Sequence, residues 1–432
     1  MDILNYQVYA AVASAEDVSV DPKVVTQESI DQLKHVQTAS LAVPQYWAQA
    51  KGKNVIIIQM EAFQNFLINM KLDGQEVTPN LNKLVSDSFY FPHFFQQVGQ
   101  GNTSDSEFIV NTSFYVPKYD AATMVYANKQ LPSMPKTFAA NGYQTATFHT
   151  NDVLFWNRNN LYKALGWQKY YDDDFFGESD IVAFGSSDEV LYDKTTAELL
   201  KMQQSGKPFY TQLISMSGHH PFNLPKRKYN IKLPERFENT LVGNYIRAEN
   251  YADKALGQFI EKLKQNGVWD NSVIVIYGDH LGLPKYTLSS KDKDLMKEIY
   301  GREYDVQDML NIPLIISVPG SSAKVFPQVG GQSDLFPTIS NLVGISLKDH
   351  IHFGQDLLNA TSNFLPERYY LPSGSLITDS GIFVPGVGYE DGLSYKLTGG
   401  RAEETTATKE QFDNALRLLE MSDSYVQSLP DR

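Results

Sequence analysis

The sequence predicts an α/β fold: a doubly wound, mostly parallel sheet flanked by helices, followed by a small C-terminal antiparallel sheet and a closing helix. Three observations predict it. The runs Asn54-Val55-Ile56-Ile57-Ile58-Gln59-Met60 and Ser272-Val273-Ile274-Val275-Ile276-Tyr277 are continuous and rich in β-branched residues, as strands buried on both faces must be. Such runs alternate with stretches whose apolar residues recur at helical spacing. The runs also end in residues with chemistry to offer, Glu61 and Asp279-His280, and ligands of open α/β sheets bind beyond the carboxyl ends of the strands.

Taken in order, residues 1–50 read as an N-terminal arm with a helical piece over 27–37. Within the arm, Ala11-Val12-Ala13-Ser14-Ala15-Glu16 has the small-x-small spacing of a signal-peptidase site, and equally that of a plain alanine-rich terminus. The main domain is predicted over 51–345. Its first strand ends in Glu61, and Leu81, Leu84 and Val85 predict a helix over 80–88.

The stretch Gly99-Gln100-Gly101-Asn102-Thr103-Ser104-Asp105-Ser106-Glu107-Phe108 can be read in two ways. Asn, Thr, Ser and Asp followed by Glu spell a helix cap. Two glycines also let the backbone approach a ligand closely, with Thr103 as a nucleophile.

Further on, 134–141 reads as a helix stopped by Gly142, and 144–149 as a strand ending in His149. A helix over 189–203 and a strand over 208–215 lead into Ser217-Gly218-His219-His220-Pro221-Phe222. Tyr245, Ala248, Ala252, Ala255, Phe259 and Leu263 mark a long amphipathic helix closed by Gly267. Strands over 272–277 and 312–318 complete the core. Residues 346–432 form a smaller α+β unit: short β-like runs between Gly and Pro over 369–397, then a helix over 410–428 with Phe412, Leu416, Leu419 and Tyr425 inward.

Composition removes several function classes. The formal net charge of −13 offers no concentrated basic surface for nucleic acid, although it leaves room for a small phosphate ligand held by a metal ion and one or two Arg. There are no cysteines, so thiol nucleophiles, disulfides and Cys-type zinc sites are excluded. No run approaches the ~20 apolar residues of a membrane span.

Glu61, His149, His219, Asp279 and His280 all fall at or just past predicted strand ends, so they gather on one rim of the sheet. Glu61, Asp279 and His280 make a mixed carboxylate–imidazole set suited to Mn²⁺ or Mg²⁺, and the Thr103 hydroxyl can complete the shell. A bound cation lowers the pKa of a ligated oxygen, as metal-bound water falls from about 15.7 to about 7. Arg158 offers a fork suited to a pair of phosphate oxygens, or else a surface salt bridge. Trp156 either walls a small polar ligand or belongs to the core. Of His219 and His220, one faces inward and the other solvent, and a His beside a phosphate can protonate a leaving oxygen.

Gln59-Met60-Glu61-Ala62-Phe63-Gln64, Gly101-Asn102-Thr103-Ser104-Asp105-Ser106-Glu107, Phe155-Trp156-Asn157-Arg158, His219-x-Pro221-Phe222, Gly278-Asp279-His280 and Gln332-Ser333-Asp334-Leu335-Phe336-Pro337-Thr338 resemble the extracellular catalytic domain of the lipoteichoic acid synthase and primase family. That family lies within the sulfatase and alkaline-phosphatase superfamily, and the resemblance runs in order from about 50 to 360. It implies one Mn²⁺ held by Glu61, Thr103, Asp279 and His280, with Thr103 as nucleophile. It further implies that Trp156, Arg158 and His219, with His149 in addition, hold the glycerol phosphate.

The substrates implied are phosphatidylglycerol and a glycerol phosphate polymer or glycolipid acceptor. The place implied is the extracellular face of the membrane, with transmembrane helices upstream of this chain and release of the ectodomain by signal peptidase as an option. Two departures matter. Thr103-Ser104-Asp105-Ser106-Glu107 lacks the Pro and Arg of the motif that matures in sulfatases proper, which argues against sulfate ester hydrolysis. Gly218 stands where the synthase pattern has Asn, which leaves His220 as a substitute for His219. Two competing readings are a secreted metal-dependent phosphodiesterase or phosphatase of the same superfamily, and an inactive polymer-binding domain.

Overall fold

The computed structural model describes residues 20–36 and 43–432. Nine strands form the central sheet: β1 (Asn54–Met60), β2 (Phe89–Phe95), β3 (Gln144–His149), β4 (Lys169–Tyr171), β5 (Phe209–Ile214), β6 (Ser272–Gly278), β7 (Asn311–Ser317), β8 (Lys324–Val325) and β9 (Gly330–Gly331). Their order is β8-β2-β7-β6-β1-β5-β3-β4, with β9 also on β2. Strands β4, β3, β5, β1 and β6 run parallel, whereas β7 is antiparallel to β6 and β2. The sheet is therefore mixed and mostly parallel, as the sequence predicts.

The principal helices are α1 (Gln27–Leu33), α2 (Pro79–Asp87), α3 (Thr103–Thr112), α4 (Met134–Ala140), α5 (Arg158–Leu165), α6 (Asp188–Gln204), α7 (Leu241–Gln265), α8 (Leu335–Val343) and α9 (Lys409–Ser428). Successive residues of a strand point to opposite faces, and β1 divides accordingly. Val55 and Ile57 join a core with α3, α4, α5, α8 and α9, while Ile56, Ile58 and Met60 join a second core with α2, α6 and α7. That is why β1 has no polar alternation and every one of its residues is buried. Helix α7 starts where the Thr240 hydroxyl accepts the Gly243 N–H, and it ends before Gly267 at φ 68°.

A second, antiparallel sheet comprises β10 (Phe364–Glu367), β11 (Ser375–Thr378), β12 (Gly381–Val384) and β13 (Leu393–Tyr395). Helix α9 packs on β10 and β11 and also touches α1. Phe412 and Leu419 of α9 are buried, but Leu416 and Tyr425 are only half-buried at the edge of the core. The helix predicted over 27–37 is shorter. It stops at Leu33, where Lys34 turns its Nζ inward to the Phe353 carbonyl at 2.6 Å and His35 takes φ 49°. Gln37 and the signal-peptidase-like stretch 11–16 lie outside the described residues. Among the described residues no helix is long and apolar enough to cross a membrane.

Candidate active site

Strand register brings the rim residues together. Met60 pairs with Gly278, Gln59 with Ile214, and Ile214 with His149, so Glu61, Asp279 and His149 leave neighbouring strands at one level. The Glu61 N–H donates to Ser215 Oγ at 2.8 Å. Asp279 Oδ1 accepts the Ala62 N–H at 2.8 Å, and its Oδ2 accepts Gln59 Nε2 at 3.2 Å. His280 Nδ1 faces the Leu281 carbonyl at 2.9 Å. A carbonyl can only accept, so that nitrogen carries a proton and Nε2 is free for the carboxylates, 3.3 Å from Glu61 and 3.6 Å from Asp279.

Ligand atoms of Glu61, Asp279 and His280 all lie within 4.8 Å of one another. Burial pushes Asp279 up to about 7, with Glu61 adding and His280 opposing. Burial also acts against charge on Glu61 and His280, yet their mutual attraction prevails: Glu61 is held at about 2 and His280 is raised to about 10. Two carboxylates and an imidazole closed in a buried rim, with the far nitrogen fixed by a carbonyl, fit one divalent cation.

Thr103 opens α3, whose residues are all buried. Its Oγ1 donates to Glu61 Oε2 at 3.1 Å and lies 3.4 Å from His280 Nε2. The capping reading of this stretch is thereby corrected, because no side chain caps α3. The hydroxyl is turned toward the metal-type ligands instead. Asp105 does the local structural work. Its carboxylate accepts the N–H groups of Gly99, Gly101 and Ala122 at 3.0, 2.8 and 2.8 Å. Gly101 has to be glycine, since a Cβ there would come within 2.6 Å of Asp105 Oδ1 and 2.8 Å of Ala121.

Arg158 is buried, so the surface salt bridge is excluded. Its Nε donates to Glu107 Oε1 at 2.7 Å, and Tyr162 donates to Glu107 Oε2 at 2.8 Å. Glu107 lies one turn after Thr103 on α3, so the helix that carries Thr103 also sets the arginine. His149 is buried with Nδ1 on the Ile214 carbonyl at 3.0 Å. Burial, reinforced by Arg158, pushes it down to about 3, so it stays neutral with an accepting Nε2.

His219 is half-buried, has Nδ1 on the His220 carbonyl at 2.7 Å, and lies within electrostatic reach of Glu61 and His149. His220 is exposed and packs on Phe222. Gly218 allows this turn its close approach, because a Cβ would sit 2.5 Å from the Glu61 carbonyl. Trp156 is half-buried at φ 56°, edge-on to Phe155 in the kink before Arg158.

The family model described as Sulfatase matches residues 53–345. The chain belongs to the sulfatase family. Within this sulfatase family it is similar to lipoteichoic acid synthase 1 of Bacillus subtilis, 34% identical over 97% of the chain and 65% of that protein. It is likewise similar to the lipoteichoic acid synthase of Staphylococcus aureus strain USA300, 34% identical over 98% of the chain and 64% of that protein. The chain thus spans about 65% of the length of the first of these relatives. The crystal structure of the lipoteichoic acid synthase LtaP from Listeria monocytogenes superposes with a TM-score of 0.89 at 42% identity, covering 94% of this chain and all of that one.

Several residues that shape the site escape sequence reasoning. Gln59 Nε2 spans the Thr103 carbonyl at 3.1 Å and Asp279. Gln332 Nε2 holds the Asp279 carbonyl at 2.6 Å and Ser106 Oγ at 3.0 Å. Ser215 and Glu107 act as described above. Gln59 did leave a signal, since a carboxamide in an otherwise apolar buried strand must find partners. Glu107 left none, because its pairing with Arg158 crosses 51 residues.

Proposed function

We propose that this chain moves glycerol phosphate from phosphatidylglycerol to a glycerol phosphate polymer or its glycolipid anchor, at the extracellular face of the membrane, through a covalent intermediate on Thr103. The observation that carries the reading is the Thr103 hydroxyl, at the head of a buried helix, donating to Glu61 beside His280. The similarity to lipoteichoic acid synthases supports the substrate class.

Glu61, Thr103, Asp279 and His280 would hold one cation, Mn²⁺ or Mg²⁺, which acidifies a hydroxyl and neutralises charge on a phosphoryl group. In the first step the Thr103 Oγ1–P bond forms and the bond from phosphorus to the diacylglycerol oxygen breaks. The Thr103 hydroxyl gives its proton to solvent, since Glu61, held at about 2, stays ionised, and the departing oxygen takes a proton from His219 Nε2. Arg158, fixed by Glu107, grips the phosphate oxygens. Neutral His149 accepts from a glycerol hydroxyl at Nε2. In the second step an acceptor hydroxyl attacks phosphorus and gives its proton to His219 Nε2, the Oγ1–P bond breaks, and Thr103 regains its proton from solvent.

The test is Thr103→Ala, assayed for diacylglycerol release from phosphatidylglycerol. Turnover should vanish while the melting temperature holds, because even a lost cap costs only about 1 kcal/mol. Near-normal turnover by Thr103→Ala would refute the nucleophile. Free glycerol phosphate, formed even when acceptor is in excess, would make the chain a hydrolase.

A further inference from the structure

We propose that Asn102 is a catalytic residue whose side-chain amide donates to a non-bridging oxygen of the phosphoryl group on Thr103, and that Tyr370 is the positioning residue that orients this amide. The inference rests on the Thr103 reading above and extends it to a residue supplied from the loop between β10 and β11.

The first observation is backbone strain. Asn102 has φ 43° and ψ −108°, and the Ser104 N–H donates to the Gly101 carbonyl at 3.0 Å. These are the marks of the first central position of a type II′ turn, where glycine is the residue without a steric cost. The chain has glycine at 99 and 101 yet keeps a side chain at 102. Strained conformations of this kind gather where function requires the side chain.

The second observation is orientation. The Tyr370 hydroxyl donates to Asn102 Oδ1 at 2.5 Å. Burial, with Tyr369 adding, raises the pKa of Tyr370 above that of a free tyrosine, so the proton stays on and needs an acceptor. Only the amide oxygen can accept it, and Nδ2 is therefore turned away from Tyr370. Among the described residues no acceptor takes the Nδ2 hydrogens. The backbone of Asn102 is already committed: its N–H goes to Gly99 at 3.3 Å, and its carbonyl accepts from Ser106 at 2.9 Å.

The third observation is location. Asn102 is bonded directly to Thr103, and Tyr370 lies within the electrostatic reach of Asp279. A fixed amide on the residue before the attacking oxygen, donating to charge that develops on the phosphoryl group, stabilises the transition state without gaining or losing a proton. The bonds made and broken are those of the transfer itself.

The experiment measures melting temperature, Mn²⁺ affinity by calorimetry, and kcat and KM on phosphatidylglycerol in mixed micelles. It compares the unmodified chain with Asn102→Gly, Tyr370→Phe and Thr103→Ala. Asn102→Gly should melt at or above the unmodified temperature, since glycine relieves the turn. Its kcat should fall by about a hundredfold, with KM and Mn²⁺ affinity unchanged. Tyr370→Phe should lose about tenfold in kcat at unchanged KM, because the amide is no longer held one way round. Full kcat in Asn102→Gly would make the asparagine a turn residue only and overturn the proposal. Early melting together with lost Mn²⁺ would overturn it too, by making the role structural. Turnover in Thr103→Ala would instead refute the nucleophile itself, and the proposal with it.

Discussion

Arg158 shows how much a single side chain's surroundings decide. Its Nε and the Glu107 carboxylate form an ion pair with each partner only 2% exposed. Lysine carries the charge as a point and cannot both hold Glu107 and present a planar fork to phosphate. Arg158→Lys should therefore lower kcat/KM by about ten- to hundredfold, the equivalent of one charged hydrogen bond of roughly 1.5–3 kcal/mol. It should also lower the urea midpoint, since Glu107 is left poorly paired, while bound metal stays unchanged. Steady-state kinetics beside metal analysis decides the matter, and unchanged efficiency would remove Arg158 from the phosphate site.

His149 makes a pH prediction. Its folded pKa of about 3 lies below the unfolded value near 6.5. Between those limits the unfolded chain binds more protons than the folded one, so stability rises with pH and is lost as pH falls from about 6.5 toward 3. The slope from this one group is at most about 1.4 kcal/mol per pH unit. Urea midpoints from pH 4 to 7 should show a shallower acid decline in His149→Gln, and parallel curves would contradict the buried neutral imidazole.

At the scale of elements, the union of β1 with α3 positions the chemistry. One carboxamide, Gln59, donates to the Thr103 carbonyl and to Asp279, and its own oxygen accepts from Gln212 Nε2 at 2.8 Å and Tyr277 at 2.7 Å. All its hydrogen-bonding capacity is used, which fixes which end faces the site. Outer partners of a ligating carboxylate typically matter by about ten- to hundredfold in metal affinity. Calorimetry on Gln59→Leu should show Mn²⁺ binding weakened on that scale, and an unchanged affinity would confine Gln59 to packing. The elements themselves were largely legible. The runs over 54–60 and 272–277 were read as buried strands because no polar alternation interrupts them, and both are buried throughout. The start of α3 was readable, but the direction of its first hydroxyl was not. A capping hydroxyl and one turned to metal-type ligands use the same residue types, and only the approach of Glu61 separates them.

For the whole molecule, assembly of β1 beside β6 places two acidic groups and an imidazole in one buried rim. A cation that binds only the folded chain should stabilise it by about 2.7 kcal/mol at a hundred times its dissociation constant. Adding Mn²⁺ should raise the melting temperature accordingly, and a chelator should reverse both that gain and turnover. A melting temperature indifferent to metal and chelator would exclude the triad as a metal site. What the sequence by itself determined is whatever depends on periodicity and strand ends: the α/β class, the strands β1, β3, β5, β6 and β7, and the gathering of Glu61, His149, His219, Asp279 and His280 on one rim, whereas β2, aromatic and interrupted by Pro92, went unread. Only the tertiary structure decided which hydroxyl meets which carboxylate, that Glu107 rather than solvent partners Arg158, that His219 lies within electrostatic reach of Glu61, and that Tyr370 reaches Asn102 across 268 residues. The physical reason is that a strand's burial and the residue at its end can be read locally, whereas a hydrogen bond needs two distant groups within about 3 Å of each other, and only the packed chain sets that distance.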